Sequence, residues 1–121
     1  MDQTQRAALL GTDLLLASRL RAALSAQGIG LIEATRDGLL PPMPLIFVDL
    51  NHEPEARLEA ITRLRERNPS AKIVGFGNHE EKELIRRAVA SGADHVVANR
   101  HLTAAALRLL NVPAAGRGAA G

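Results

Sequence analysis

Leu45-Ile46-Phe47-Val48-Asp49-Leu50-Asn51 sets four apolar residues in a row before a carboxylate, and a helical pattern begins just after it. A short run that is apolar on both faces, instead of alternating, is what a strand buried inside a parallel sheet needs. An acidic residue at its C-terminal end stands at the mouth of the crevice where open α/β sheets bind ligands.

The composition around this strand is that of one soluble domain. A chain of 121 residues, 46% apolar and 23% charged, buries most of one core but not two. A net charge of +2 is too small to imply a polyanionic partner, although arginine greatly outnumbers lysine. Without cysteine there is no disulfide, thiolate nucleophile or Cys-ligated zinc. Phe47 and Phe76 are the only aromatic residues of the Phe, Tyr and Trp class, and both lie in apolar runs. Single-stranded nucleic acid needs exposed stacking platforms, so that partner is not expected. No apolar run approaches the ~20 residues of a membrane span, and the first residues lack a signal peptide's charged-then-apolar design. A cytoplasmic location is expected.

Working outward, Arg6–Thr12 reads as a first strand stopping at Gly11. A helix follows from about Asp13 to Gln27, with Thr12 as N-cap, a Leu16, Leu20, Leu24 stripe flanked by Ala17 and Ala23, and Gly28 as the stop. Ile29–Ala34 reads as a second strand. Residues 35–44 hold Gly38, Pro41, Pro42 and Pro44, so little more than one helical turn fits there. After the central strand, Pro54 suits the first position of a helix running to Arg67, with Leu58, Ile61 and Leu64 inward. Ala71–Gly77 is a fourth strand. Asn78 then caps a helix carrying Glu80 and Glu81 in its first turn and burying Leu84, Ile85, Ala88 and Val89, and Gly92 ends it. Asp94–Ala98 is a fifth strand, and a last helix spans about Thr103–Leu110. The alternation predicts a flavodoxin-like five-stranded parallel sheet, order 2-1-3-4-5, with helices on both faces and the second helix reduced or lost. Residues 1–111 form the domain and residues 112–121 a flexible Gly/Ala-rich tail.

At this point the chain resembles the receiver domain of bacterial two-component response regulators, over roughly residues 6–111. Phe47-Val48-Asp49-Leu50-Asn51 is similar to that family's strand ending in the phosphorylated aspartate. Ala90-Ser91-Gly92-Ala93-Asp94-His95-Val96-Val97 is similar to its Ala-Gly-Ala-x-x-Tyr/Phe run. The resemblance implies five chemical groups. An acidic pair ending strand 1 and the phosphoryl-accepting aspartate hold Mg²⁺, while a Ser/Thr ending strand 4 and a Lys ending strand 5 bind the phosphoryl oxygens. By the same resemblance Gly11 and Thr12 stand at the acidic pair, Gly77 at the Ser/Thr and Asn99 at the Lys. Asn51 falls where a backbone carbonyl would meet Mg²⁺, Arg100 takes the usual proline's place, and Val96 stands at the switch aromatic. Only Asp49 survives of the five. A one-residue slip would bring Asp13 into the acidic pair, giving weak Mg²⁺ binding at best.

The remaining candidates each carry a plainer reading. Asn51, His52 and Glu53 with His79 have suitable metal-ligand chemistry, but exposed loop residues of these types are common, and no metal site is expected. Gly75-Phe76-Gly77-Asn78 before a helix invites an anion, yet lacks the P-loop lysine and the dinucleotide spacing. Arg86, Arg87, Arg100 and Arg108, with Val96, fall on the face that receivers use for partners; a solvated basic face is the equal alternative. The expectation is thus a degenerate, non-catalytic receiver-like signalling module, acting through a protein partner of unknown identity or as a homodimer. The alternatives are an atypical receiver phosphorylated on Asp49 by a histidine kinase within a phosphorelay, and a small-ligand-binding flavodoxin-like module.

Overall fold

The computed structural model describes residues 6–78 and 81–110. In chain order the elements are β1 (Arg6–Leu10), α1 (Leu14–Ser25), β2 (Gly30–Ala34), a 3₁₀ turn (Asp37–Leu39), β3 (Leu45–Asp49), α2 (Pro54–Arg67), β4 (Lys72–Gly77), α3 (Lys82–Ser91), β5 (His95–Ala98), a second 3₁₀ turn (Asn99–His101) and α4 (Leu102–Leu109). All strand pairings are parallel and the order is β2-β1-β3-β4-β5, as the sequence predicts. The tail at residues 112–121, together with His79 and Glu80, lies outside the described residues.

Every residue of β3 is buried because the sheet carries a core on each face. Ala8, Leu10, Ile46, Val48 and Ile73 point to one side, under Leu58, Ile61 and Leu64 of α2 and Ala88 of α3. Ala7, Leu9, Leu45, Phe47, Val74 and Phe76 point to the other, against Ala17, Leu20 and Leu24 of α1 and Leu102 and Ala106 of α4. Both phenylalanines are thereby core residues and unavailable for stacking on a ligand.

Between β2 and β3 the prolines leave only the Asp37–Leu39 turn, and arginines of α2 hold it in place. Arg63 grips the Asp37 carboxylate through two hydrogen bonds of 2.9 Å, and Arg67, one turn further on, donates to the Asp37 carbonyl at 2.9 Å. Arg57 reaches the Thr35 carbonyl at 3.2 Å. Between Arg63 and Arg67 in sequence, Arg65 of the last turn of α2 instead donates to the carbonyls of Ala71 and Gly92 and to the Asp94 carboxylate, fastening the turn before β5.

Three local expectations need correction. Asp13, not Thr12, is the N-cap of α1, because its Oδ1 accepts the Leu15 and Leu16 amides, each at 3.1 Å. Asn78 does not cap α3, which starts at Lys82 behind Glu81; β4 stays paired through Gly77 with Ala98, so Asn78 only leads the chain off the sheet. Val89 is 50% exposed and Leu84 and Ile85 are half-buried, so Ala88 is the one buried residue of α3, with Leu84 packed against the same core. This helix stands partly away from the sheet and leaves a cleft beside it.

Candidate functional site

Asp49 ends β3 and is only 1% exposed. Its Oδ1 accepts the Asn51 backbone amide at 2.7 Å and the Asn51 side-chain Nδ2 at 2.8 Å. Its Oδ2 is buried and has no hydrogen-bond partner among the described residues. Asn51 in turn faces Asn99, at the start of the turn after β5. Asn51 Nδ2 donates to Asn99 Oδ1 at 3.0 Å and Asn99 Nδ2 donates to Asn51 Oδ1 at 3.1 Å. A continuous polar chain, Asp49–Asn51–Asn99, therefore joins the ends of β3 and β5 without a cation.

The glycines at the neighbouring strand ends explain how closely these groups pack. A Cβ on Gly11 would fall 2.6 Å from the Asp49 Cβ and 3.2 Å from its Oδ2. Only glycine lets β1 end that close to the carboxylate. On the β4 side, a Cβ on Gly75 would lie 2.8 Å from Cδ1 of the buried Leu50, whose amide donates to the Phe76 carbonyl at 2.8 Å. Gly77 is different: a Cβ there would meet Leu50 at an ordinary 3.6 Å.

Two further residues approach Asp49. Asp13, placed by its capping role, and His52, on the exposed loop after Asn51, each offer a donor atom, and these lie within 4.8 Å of one another and of one from Asp49. The same loop turns at Glu53, the one non-glycine residue of positive φ (54°) among those described, directly before Pro54 opens α2. Of the metal candidates read from the sequence, His52 and not Glu53 is in this group, and His79 lies outside the described residues. His95 and His101 are exposed elsewhere. The oxygen-rich Mg²⁺ set implied by the resemblance does not fit these residues: Gly11 and Thr12 bring no carboxylate, and the third donor is an imidazole.

A cleft of about 500 Å³ opens beside the site, between Leu50 and Gly77 on one wall and Leu84, Ile85, Val96 and Arg100 on the others. Val96, half-buried, leaves part of this space unfilled. The basic face beyond it is less basic than the sequence suggests. Arg87 forms a two-bond pair with Glu55 of α2 at 2.7 and 2.5 Å, and Arg86 pairs with Glu83 within α3. The hydrogen bond from each arginine is the main reason why the Glu55 and Glu83 carboxyls lie below the usual range. Arg100 and Arg108 remain exposed on the turn after β5 and on α4.

No protein-family model matches this chain, and no curated protein matches it. Solved structures do. A response regulator from Thermotoga maritima aligns with a TM-score of 0.76 at 22% identity, covering 90% of this chain and 99% of that one. A CheY-like receiver domain protein from Methanospirillum hungatei aligns at 0.75 and 16% identity, covering 90% and 95%. A CheY-like protein from Pseudomonas aeruginosa aligns at 0.72 and 17% identity, covering 88% and 94%. The chain has the receiver-domain fold, in a form with four helices among the described residues and a 3₁₀ turn between β2 and β3. None of those four helices is long and apolar enough to cross a membrane.

Proposed function

We propose that this protein is a non-catalytic signalling module of the receiver fold, acting through protein contacts and not through Mg²⁺-dependent phosphorylation of Asp49. The observation that carries the reading is the reciprocal amide pair of Asn51 and Asn99. A phosphoryl group on Asp49 needs cations to offset its charge, and the place that the resemblance gives to a lysine is taken by the neutral amide of Asn99, already bonded to Asn51. The close approach of Gly11 to Asp49 adds to this, since it leaves no room for a carboxylate side chain at position 11, where the resemblance places one of the acidic pair. Partner contacts fall to α3, β5 and α4, where Val96 lines the cleft and Arg100 and Arg108 supply positive charge. Arg86 and Arg87 contribute less, being already paired with acids of this chain.

The test is an amide NMR titration with Mg²⁺ and beryllofluoride, a phosphoryl mimic, beside an Asp49→Asn control. Unmoved resonances at Asp49, Gly77 and Asn99 are the expected result. Saturable shifts there that vanish in the control would restore Asp49 as a phosphoacceptor and overturn the reading. Sedimentation over a concentration series then reads whether the contact is made with a second copy.

The cleft of about 500 Å³ favours one second reading, small-ligand binding between Leu50, Val96 and Arg100. A thermal shift of a few degrees with a single nucleotide or metabolite would support it. Such a shift should be lost when Val96→Phe fills the cleft.

A further inference from the structure

The three donors around Asp49 suit a different class of ion from the one that receivers use. Mg²⁺ takes near-octahedral oxygen ligands at short distance. Here Asp13 Oδ1 is occupied in capping α1 and Asp49 Oδ1 in holding Asn51. Gly11 excludes a further side chain, and the remaining donor is the imidazole of His52. Imidazole mixed with carboxylate suits zinc, copper, iron and nickel better than magnesium.

Asp49 Oδ2 points independently to a ligand. Buried side-chain oxygens nearly always have a hydrogen-bond partner, and this one has none among the described residues. With Oδ1 turned toward Asn51, Oδ2 faces Gly11 at the end of β1, two residues before Asp13.

We infer that Asp13, Asp49 and His52 form a site for a first-row transition divalent cation, with water completing its coordination. Three protein donors and an open position are a common zinc arrangement, with bonds of about 2.0–2.2 Å and donors therefore about 3.3 Å apart. The donors here lie within 4.8 Å of one another, and metal binding draws them together, His52 by rotation and Asp13 through the carboxylate oxygen that does not cap α1. Asp49 stays fixed by its two bonds from Asn51. The site requires nothing of the protein-contact role proposed above, and each can fail without the other.

Isothermal titration of the full chain with Zn²⁺ and separately with Mg²⁺ tests the inference, alongside His52→Ala, Asp13→Ser and His101→Ala. Serine keeps the N-cap of α1 while removing the carboxylate, and His52 is exposed, so these variants should fold. One Zn²⁺ should bind per chain, far more tightly than Mg²⁺. His52→Ala and Asp13→Ser should each weaken it by at least the ~10–100-fold that losing even an outer-shell partner costs. His101→Ala should leave it unchanged. Mg²⁺ binding as tightly as Zn²⁺, Zn²⁺ affinity indifferent to His52→Ala, or affinity lost in His101→Ala would each overturn the site.

Discussion

Asn51 and Asn99, 48 residues apart in sequence, exchange both of their side-chain amide hydrogen bonds at 3.0 and 3.1 Å. The pair closes the C-terminal mouth of the sheet between β3 and β5, strands that do not neighbour each other, since β4 runs between them. Because both partners are neutral, the bridge needs no counter-charge and does not change with pH. It also makes Asn51 a relay, since the same Nδ2 that serves Asn99 donates to Asp49.

The first prediction concerns that relay. Asn99→Ala removes the two hydrogen bonds of this part-buried pair, Asn51→Ala removes these and the bond to Asp49, and each should cost about 1–2 kcal/mol in urea unfolding. In the double variant the costs should fall short of additivity by about 1 kcal/mol, the coupling expected of residues in direct contact. Strict additivity would mean that the pair does not persist in solution.

Gly11 and Gly77 flank the same mouth but should respond in opposite ways. Gly11→Ala drives a methyl to 2.6 Å from the Asp49 Cβ and should cost about 1–3 kcal/mol as overpacking. Gly77→Ala places its methyl at 3.6 Å from Leu50. It should be neutral or stabilise by about 0.4–1 kcal/mol through reduced freedom of the unfolded chain. Urea midpoints for the two variants decide the matter, and equal responses would sink the packing argument.

Most of the fold was legible in the sequence because parallel strands buried on both faces read as unbroken apolar runs, and Pro54, Gly28 and Gly92 punctuate the helices. The reduced segment between β2 and β3 was legible from its prolines. What holds that segment was not: Arg63 and Arg67 look like the solvated face of α2, and nothing local shows that Asp37 lies beneath them. At the site, the resemblance set Gly11, Asp49, Asn51 and Asn99 at the strand ends but not the bonds that join them. Asn99 reads as a missing lysine, and its partnership with Asn51 follows from strand order, not from spacing. Asp13 could have been found from helix capping, since an aspartate directly before Leu14-Leu15-Leu16 is a better N-cap than the preceding Thr12. His52 carries no periodic signal, and its place beside Asp49 depends on the left-handed turn at Glu53.

Asp49 itself should be a source of instability when no metal is present. Its Oδ2 is buried without a hydrogen bond among the described residues, and the Asp13 carboxylate lies close by. In EDTA, Asp49→Asn keeps an oxygen to accept from Asn51 and turns an amide donor toward the unsatisfied side. It should raise stability by about 1 kcal/mol, within the range by which unsatisfied buried groups destabilise. A lower urea midpoint for the variant in EDTA would show that Oδ2 has a protein partner in solution.

Acid should loosen the chain at the Asp37 turn. The hydrogen bond from Arg63 holds the Asp37 carboxyl below its ordinary value, outweighing the effect of burial, with the charges of Arg63 and Arg67 adding to it. At Asp94 the largest single influence is burial, which acts upward, but the Ile73 amide and Arg65 together pull it below its ordinary value. A carboxyl whose folded pKa is depressed contributes stability above its unfolded pKa of about 3.9. That contribution fades as pH falls through the folded value and is gone below both. Wild-type stability should therefore be level in this respect from pH 7 to about 5 and decline below about 4. Asp37→Asn, which cannot form the ion pair, should lie below wild type at pH 7 and converge on it as the pH falls. Urea midpoints at pH 7, 5, 4 and 3 read this directly, and a gap that stays constant down to pH 3 would show that Asp37 is not held as an ion pair by Arg63.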